Sequence, residues 1–416
     1  MDLFNQTRFP QTDWLASRDS RGAIRLVKLE CEWNDSEHAY TIIRTTGQYN
    51  KTQTIQPTIF VRKGKVNRTV TEQTRLQYDH LLKEYEDKGY KKLDKSYDLY
   101  SESELSEIVG EHKTSKDGLL KPMLAKQASK VTNKKIFDKE WLASRKIDGV
   151  RSLFYFDGKE IHTKSRGGEH YDYSTGHLRE HPVLIEIFKK YPTLVLDCEL
   201  YKHGKSLQQC SGAARLEKNA YDCDWLEMYC YDCVFLDNIN MIAKDRIKFL
   251  LNLAKEYNLG FDPKKVWKQN ELQFQMVPHI KVSSWDNIRK LHDQYVLDDW
   301  EGVVIRDPNK PYKPAGRTNS MIKVKDYIDE TFKVIGYELG LRGAQDMCFI
   351  CQLKDGRTFK ASPMGTIETK NEYVKNFNEK YKDRLGDCKY FTYSDGGIPC
   401  QPHFIGFRYD IKTASK

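Results

Sequence analysis

The stretch Trp141-Leu142-Ala143-Ser144-Arg145-Lys146-Ile147-Asp148-Gly149-Val150-Arg151 decides how the chain is read. It sets one lysine in a Lys-x-Asp-Gly-x-Arg frame, followed by the apolar run Leu153-Phe154-Tyr155-Phe156. The pattern predicts a short extended segment ending at Lys146, with Asp148-Gly149 turning the chain into the next strand. A lysine so placed sits on a rigid edge, as a nucleophilic amine requires. The same letters also describe a solvated lysine before an ordinary Asp-Gly hairpin, so neighbouring stretches must decide.

Four of them look chemical. Val195-Leu196-Asp197-Cys198-Glu199-Leu200 puts two carboxylates two residues apart on a strand, so both face one way. In an apolar strand that is unfavourable unless a cation offsets it. Trp300-Glu301-Gly302-Val303-Val304-Ile305-Arg306 sets another carboxylate at the mouth of an apolar strand, and Met321-Ile322-Lys323-Val324-Lys325 sets two lysines on one strand face. Tyr229-Cys230-Tyr231-Asp232-Cys233-Val234-Phe235 offers aromatic faces. Singly, these are strand-end charges, snorkelling lysines or core aromatics.

Together and in this order, Lys-x-Asp-Gly-x-Arg, Asp-x-Glu-Leu, Tyr-Asp, Glu-Gly-Val-Val-Ile-Arg and Lys-Val-Lys resemble the motif series of covalent nucleotidyltransferases. Within that superfamily the chain is similar to ATP-dependent DNA ligases, and in compactness to small bacteriophage ligases. Ser165-Arg166-Gly167-Gly168 and Pro402-His403-Phe404-Ile405-Gly406-Phe407-Arg408-Tyr409-Asp410 fit two further family motifs, so the resemblance spans Leu120 to Lys412.

The resemblance implies a lysyl-AMP on Lys146, made from ATP with release of pyrophosphate. AMP then passes to the 5′-phosphate at a DNA nick, and the 3′-hydroxyl displaces it. It implies Glu199 and Glu301 as ligands of Mg²⁺, a hard cation suited to carboxylates. Lys323 and Lys325 neutralise the α-phosphate, Tyr231 stacks on adenine, and Arg151 and Arg166 hold the ribose and the nick's 5′-phosphate. Arg408 meets the departing pyrophosphate. Lys146 must attack as a neutral amine, and neighbouring lysines and a metal are expected to lower its pKa. Three positions depart from the family pattern. Cys198 replaces a common glycine. Ser144 stands where a carboxylate often reads the adenine amino group. Ile411 follows Asp410, which displaces the usual lysine to Lys412.

With 416 residues there is room for two or three domains. Hydrophobic residues make up 39% and charged residues 31%, the balance of a globular protein. No apolar run reaches the length of a membrane span and no signal-peptide pattern opens the chain, so an intracellular, non-membrane monomer is expected. The formal net charge of +9 suits a polyanionic partner. Ten cysteines include two Cys-x-x-Cys pairs, Cys230/Cys233 and Cys348/Cys351. Both lie in strand-like runs, where residues three apart face opposite ways, so they read as reduced buried thiols rather than a zinc site.

The predicted fold class is α+β in three parts. Residues 1–100 form a small N-terminal module of strands (Ile24 to Leu29, Ala39 to Arg44, Thr58 to Val61) and a helix from Glu72 to Lys88. Leu76, Tyr78, Leu81, Leu82 and Tyr85 share one face of that helix. The first 20 or so residues show no clear pattern. The module resembles the WGR modules of DNA-break-responsive proteins, without the Trp-Gly-Arg signature. Lys51, Arg62, Lys63, Lys65 and Arg68 could grip phosphates or form a solvated face. A linker over 101–119 leads to the adenylation domain, 120–326. Residues 327–416 read as short strands with turns, including a Lys354-Asp355-Gly356-Arg357 hairpin, and suit an OB-fold. An RNA ligase or mRNA-capping guanylyltransferase shares the nucleophile motif. A nucleic-acid-binding protein with a vestigial lysine is the alternative of another class.

Overall fold

A computed structural model describes residues 10–115, 118–218, 223–340 and 343–410. The chain divides into two compact units, Met1–Lys325 and Asp326–Lys416.

The first unit opens with strands β1 (Gln11–Arg18), β2 (Ile24–Asn34), β3 (Ala39–Gln48), β4 (Thr54–Ile55), β5 (Ile59–Val61) and β6 (Lys91–Leu93). They order as β4-β3-β2-β1-β6, with β5 also on β3. Strand β1 was not legible because polar residues face inward: Asp13 is buried and accepts a 2.9 Å hydrogen bond from the Tyr78 hydroxyl. The helix Val70–Asp87 starts at a capping box of Thr69 and Glu72. It buries Tyr78, Leu81 and Tyr85 against Leu15, Val27, Leu29 and Ile42. Leu76, expected on that face, is 48% exposed, because two residues before Tyr78 means about 200°, just over a half-turn round the helix. The opposite sheet face packs Leu105 and Val109 of the helix Glu102–Val109. The stretch read as a linker, 101–119, therefore begins as a docked helix.

Ten strands follow: β7 (Leu124–Gln127), β8 (Trp141–Lys146), β9 (Val150–Phe156), β10 (Ile161–Ser165), β11 (Leu194–Tyr201), β12 (Glu227–Phe235), β13 (Phe274–Met276), β14 (Ile280–Val282), β15 (Gly302–Arg306) and β16 (Arg317–Val324). They make two five-stranded sheets, β10-β9-β11-β12-β13 and β14-β8-β15-β16-β7. Strands β8 and β9 belong to different sheets. Asp148-Gly149 is thus not a hairpin but the crossing from one sheet to the other. The crossing is tight: a Cβ on Gly149 would lie 2.6 Å from the Leu200 carbonyl oxygen and 2.8 Å from Glu199 Cγ, so only glycine fits. Leu153, Val195 and Val234 of one sheet meet Met321 of the other and Tyr312 in a small apolar cluster. A larger core, including Trp141, Phe154, Leu196 and Phe274, packs with Leu184, Phe188, Ile247 and Ile288 of the flanking helices.

One irregularity overturns an expectation. Asp197 pairs with Asp232 but Cys198 pairs with Cys230, leaving Tyr231 as a bulged residue. The extra residue restores the phase, so Cys230 and Cys233 face the same side, both within the larger core. Their sulfurs nevertheless point to different carbonyls, those of Asp232 and Arg246. In the other pair, Cys351 is buried while Cys348 is partly exposed, as strict alternation requires.

The second unit contains β17 (Ile328–Gly340), β18 (Gly343–Gln352), β19 (Thr358–Pro363), β20 (Leu385–Tyr390) and β21 (His403–Phe407). They close into a barrel in the order β17-β18-β19-β21-β20. Phe332, Phe349, Phe359 and Phe404 fill it. The predicted Lys354-Asp355-Gly356-Arg357 turn joins β18 to β19, with Gly356 at φ +87°. Between β19 and β20 lies an α-helix over Ile367–Lys375, followed by a wider turn at Phe377–Tyr381.

Candidate active site

Strand pairing sets the side chains of the site. In the sheet of β8, Lys146 lies opposite Gly302, Ser144 opposite Val304, and Val304 opposite Lys323. Directly paired residues share a face, so Ser144, Lys146 and Lys323 project together. In the other sheet Glu199 lies opposite Arg151, and Asp197 shares their face two residues away.

Lys146 ends β8 and forms an ion pair with Glu301 Oε2, while Lys325 Nζ lies 3.0 Å from Glu301 Oε1. The Glu301 side chain is 3% exposed, so this carboxylate is shared by two lysines away from water. Burial disfavours the Lys146 ammonium, but Glu301, Glu199 and Asp148 outweigh it and raise its pKa. This reverses the expectation of a lowered value. The depressed lysine is Lys323, brought to about 8 by burial and by the neighbouring Lys146 and Lys325. The reason is local: Lys146 has carboxylates around it, whereas Lys323 has two lysines.

Burial pushes the Glu199 carboxyl up to about 7, against the pull of Lys146 and Arg151. Its hydrogen-bond donor is the Tyr231 hydroxyl at 3.1 Å. The Tyr231 ring lies beside two guanidiniums, with centroid distances of 5.4 Å to Arg306 and 5.9 Å to Arg151. Asp148 is pushed up to about 6 by burial and by Glu301.

Arg151 is a strut as much as a free donor. Its fork grips Asp197 at 2.8 and 2.5 Å, and a third bond of 2.6 Å reaches the Met123 carbonyl. Tyr312 completes the Asp197 carboxylate at 2.7 Å. Behind the site, Arg246 grips Asp232 at 2.8 and 3.0 Å, and Arg306 Nε donates to Asp232 Oδ2 at 3.2 Å. These cations hold the Asp232 carboxyl at about 2 despite its burial. Arg306 also donates to Ser144 Oγ at 3.0 Å, which fixes that fully buried hydroxyl. His279, half-buried beside Arg306, is pulled down to about 3 by desolvation and by that guanidinium, and is therefore neutral. Sequence reading missed Asp232, Arg246, Tyr312 and His279 as parts of this arrangement. Arg306 and Asp232 stood inside quoted motifs, but their partnership spans 74 residues and no local pattern reveals it.

The structure therefore brings together Lys146, Glu199, Glu301, Lys323, Lys325, Arg151 and Tyr231. Arg166 lies on the exposed turn after β10. Arg408 belongs to the second unit, bonded to Asp387 at 3.0 Å and twice to Asp410 at 2.7 Å. Lys412 lies outside the described residues.

Two facing, mainly antiparallel sheets with a lysine held among carboxylates at their junction have the layout of a covalent nucleotidyltransferase domain. Residues 122–325 match the family model described as the ATP dependent DNA ligase domain. Residues 122–325 thus form an ATP-dependent DNA ligase domain. It is 25% identical over 323 residues to a DNA ligase of African swine fever virus (isolate Warthog/Namibia), covering 71% of this chain and 70% of that protein. It is 26% identical over 218 residues to a DNA ligase of Archaeoglobus fulgidus, covering 48% of this chain and 34% of that one. Among solved structures, one of the Lig E DNA ligases superposes with a TM-score of 0.51 at 18% identity, over 69% of this chain and 98% of that chain. Another, Pmar-Lig, superposes with a TM-score of 0.59 at 19% identity, over 74% and 71%. These two likenesses concern the fold. No helix among the described residues is long and apolar enough to cross a membrane.

Proposed function

We propose that the chain seals 5′-phosphate/3′-hydroxyl nicks in duplex DNA, as a monomer, through a lysyl-AMP on Lys146. The observation that carries this reading is the half-buried Lys146 amine, bracketed by Glu301 and Glu199 within the region matched to the ligase family. Lys146 Nζ attacks the α-phosphorus of ATP. The bond to the β-phosphate oxygen breaks and pyrophosphate leaves. The ammonium must first lose a proton, and Glu301, already hydrogen-bonded to Nζ, is the acceptor at hand. A 5′-phosphate oxygen of the nick then displaces Lys146 from phosphorus, and the 3′-hydroxyl displaces AMP.

The acidic groups fit a divalent cation. Glu199 is a half-buried carboxylate with a tyrosine hydroxyl as hydrogen-bond donor, and Glu301 could exchange Lys325 for a metal at Oε1 while Oε2 stays with Lys146. Mg²⁺, when bound by Glu199 and Glu301, would neutralise phosphate charge. Tyr231 is assigned the adenine face, Lys323 and Lys325 the α-phosphate, Arg151 the ribose and Arg166 the 5′-phosphate at the nick. Arg408 is assigned the departing pyrophosphate, for which its bonds to Asp387 and Asp410 must open. We keep the division into an N-terminal module (1–100), a connection (101–119), an adenylation domain (120–326) and an OB-fold (327–416). The barrel's strand order supports the last of these. Sealing of a nicked duplex with ATP and Mg²⁺ tests the whole reading. GTP in place of ATP tests the capping alternative, and a nicked RNA duplex tests the RNA ligase.

Two smaller predictions belong here. Lys323, near 8, loses its charge as pH rises through that value, so adenylylation should fall on an alkaline limb near pH 8. Lys323→Arg, which stays charged, should move that limb upward. A wild-type rate that stays flat from about pH 7 to 9.5 would contradict the role, because a lysine held near its lowered pKa must change charge in that range. On the N-terminal module Lys63, Lys65 and Arg68 are exposed in one loop. Reversing all three to glutamate should make the salt dependence of DNA binding shallower by about 2–3 in the log–log slope. Adenylylation should be unchanged. An unaltered slope would place DNA elsewhere.

A further inference from the structure

Outside the lysine site, one cluster of side chains has the composition and convergence of a metal centre. Strand β10 ends at Ser165, whose hydroxyl accepts hydrogen bonds from the backbone of Gly167, Gly168 and Glu169 at 3.2, 3.2 and 2.9 Å. Gly168 takes φ +106°, and the chain folds back so that His170 bridges to Lys164 and Tyr171 N reaches the Thr163 carbonyl at 2.8 Å. This return places His170 and Asp172 beside His162. Each ring donates through Nδ1 to the same oxygen, Asp172 Oδ2: His162 at 2.8 Å and His170 at 3.0 Å. All three ligand atoms lie within 4.8 Å of one another.

The surroundings have the features that hold metal ligands in place. The other Asp172 oxygen accepts from Thr163 N at 2.5 Å, which fixes the carboxylate. The remote nitrogen of His162, Nε2, lies 3.2 Å from Asp157 Oδ2. Asp157 is itself anchored by backbone N–H groups of Lys159 and Glu160 at 2.8 and 2.9 Å. A carboxylate on the far nitrogen of a ligating imidazole sets its tautomer and strengthens it as a donor.

We propose that His162, His170 and Asp172 bind one divalent transition-metal ion, with two imidazoles and a carboxylate suiting Zn²⁺ and leaving a position for water. This donor set differs from the all-oxygen site assigned to Mg²⁺, so the two ions do not compete: imidazole favours zinc, and carboxylates with phosphates favour magnesium. The site is built across the foot of the turn that displays Arg166. An ion there ties His162 on β10 to His170 beyond the turn and so restrains it. The proposal does not rest on nucleotide transfer.

The test is titration of the full chain, freed of metal by dialysis, with Zn²⁺ and Co²⁺ in millimolar Mg²⁺. One Zn²⁺ per chain is expected. Cobalt should give visible d–d bands without the near-ultraviolet thiolate band that cysteine ligation would produce. His170→Ala alters an exposed side chain and should weaken Zn²⁺ binding by at least about tenfold. His162→Gln should do the same. Zn²⁺ should slow amide exchange at Gly167 to Glu169 in the wild-type chain and not in His170→Ala. The proposal is overturned by absent stoichiometric binding, by unchanged affinity in His170→Ala, or by a thiolate–cobalt band that survives that substitution. Exchange at the turn that ignores zinc overturns the bracing role.

Discussion

The Lys146→Ala chain, incubated with α-labelled ATP and Mg²⁺, is expected to carry no label after denaturation, whereas the wild-type chain retains it. No other lysine can substitute. Lys325 is held by Glu301, and Lys323 projects from β16, on the far side of β15 from β8, rather than from the end of β8. The substitution removes the atom that forms the bond to phosphorus, so the loss should be complete rather than partial. Nicked-DNA binding should stay close to wild type, because phosphate contacts elsewhere carry affinity. Folding should survive too, although Glu301 then keeps Lys325 as its remaining ion-pair partner. Wild-type labelling by this variant would remove the basis for the ligase chemistry.

The largest stability effect is expected at Asp232. Its carboxylate, 1% exposed, is shared by Arg246 and Arg306. Replacing it with alanine leaves two buried guanidiniums facing each other without their counter-charge. Breaking a buried pair in this way costs about 3–5 kcal/mol, and here two cations lose one anion. The denaturation midpoint of Asp232→Ala in urea should therefore drop well below that of the wild type. Asp232→Asn, which keeps the shape, should drop less. Because Arg306 also orients Ser144, any folded Asp232→Asn chain should lose adenylylation out of proportion to its loss of stability. A midpoint within error of wild type for the alanine variant would show that water reaches these guanidiniums.

The chemistry was more legible in the sequence than the framework around it. Lys146, Glu199, Glu301 and Lys323 could be singled out because the ordered series of motifs that holds them resembles that of covalent nucleotidyltransferases. Alternation then told which of them share a face. The division into sheets was not identifiable. Asp148-Gly149 has the letters of a hairpin, yet pairing partners far along the chain, Gly302 for Lys146 and Glu199 for Arg151, decide that the strands part. The bulge at Tyr231 was equally hidden, since one unpaired residue leaves no compositional trace. It changed the facing of Cys230 and Cys233. The sign of the Lys146 shift failed for a related reason. The expectation counted neighbouring lysines and a divalent metal, whereas the protein's own groups around the amine are the carboxylates of Glu301, Glu199 and Asp148.

The crossing at Ile147-Asp148-Gly149 has a mechanical consequence. So short a tether leaves the two layers little freedom to slide past one another near the nucleophile. Anything that wedges them apart draws the amine away from Glu199, and anything that clamps them presses the two together. Nucleotide entry and nucleophile readiness thus lie along a single coordinate, the gap between the layers.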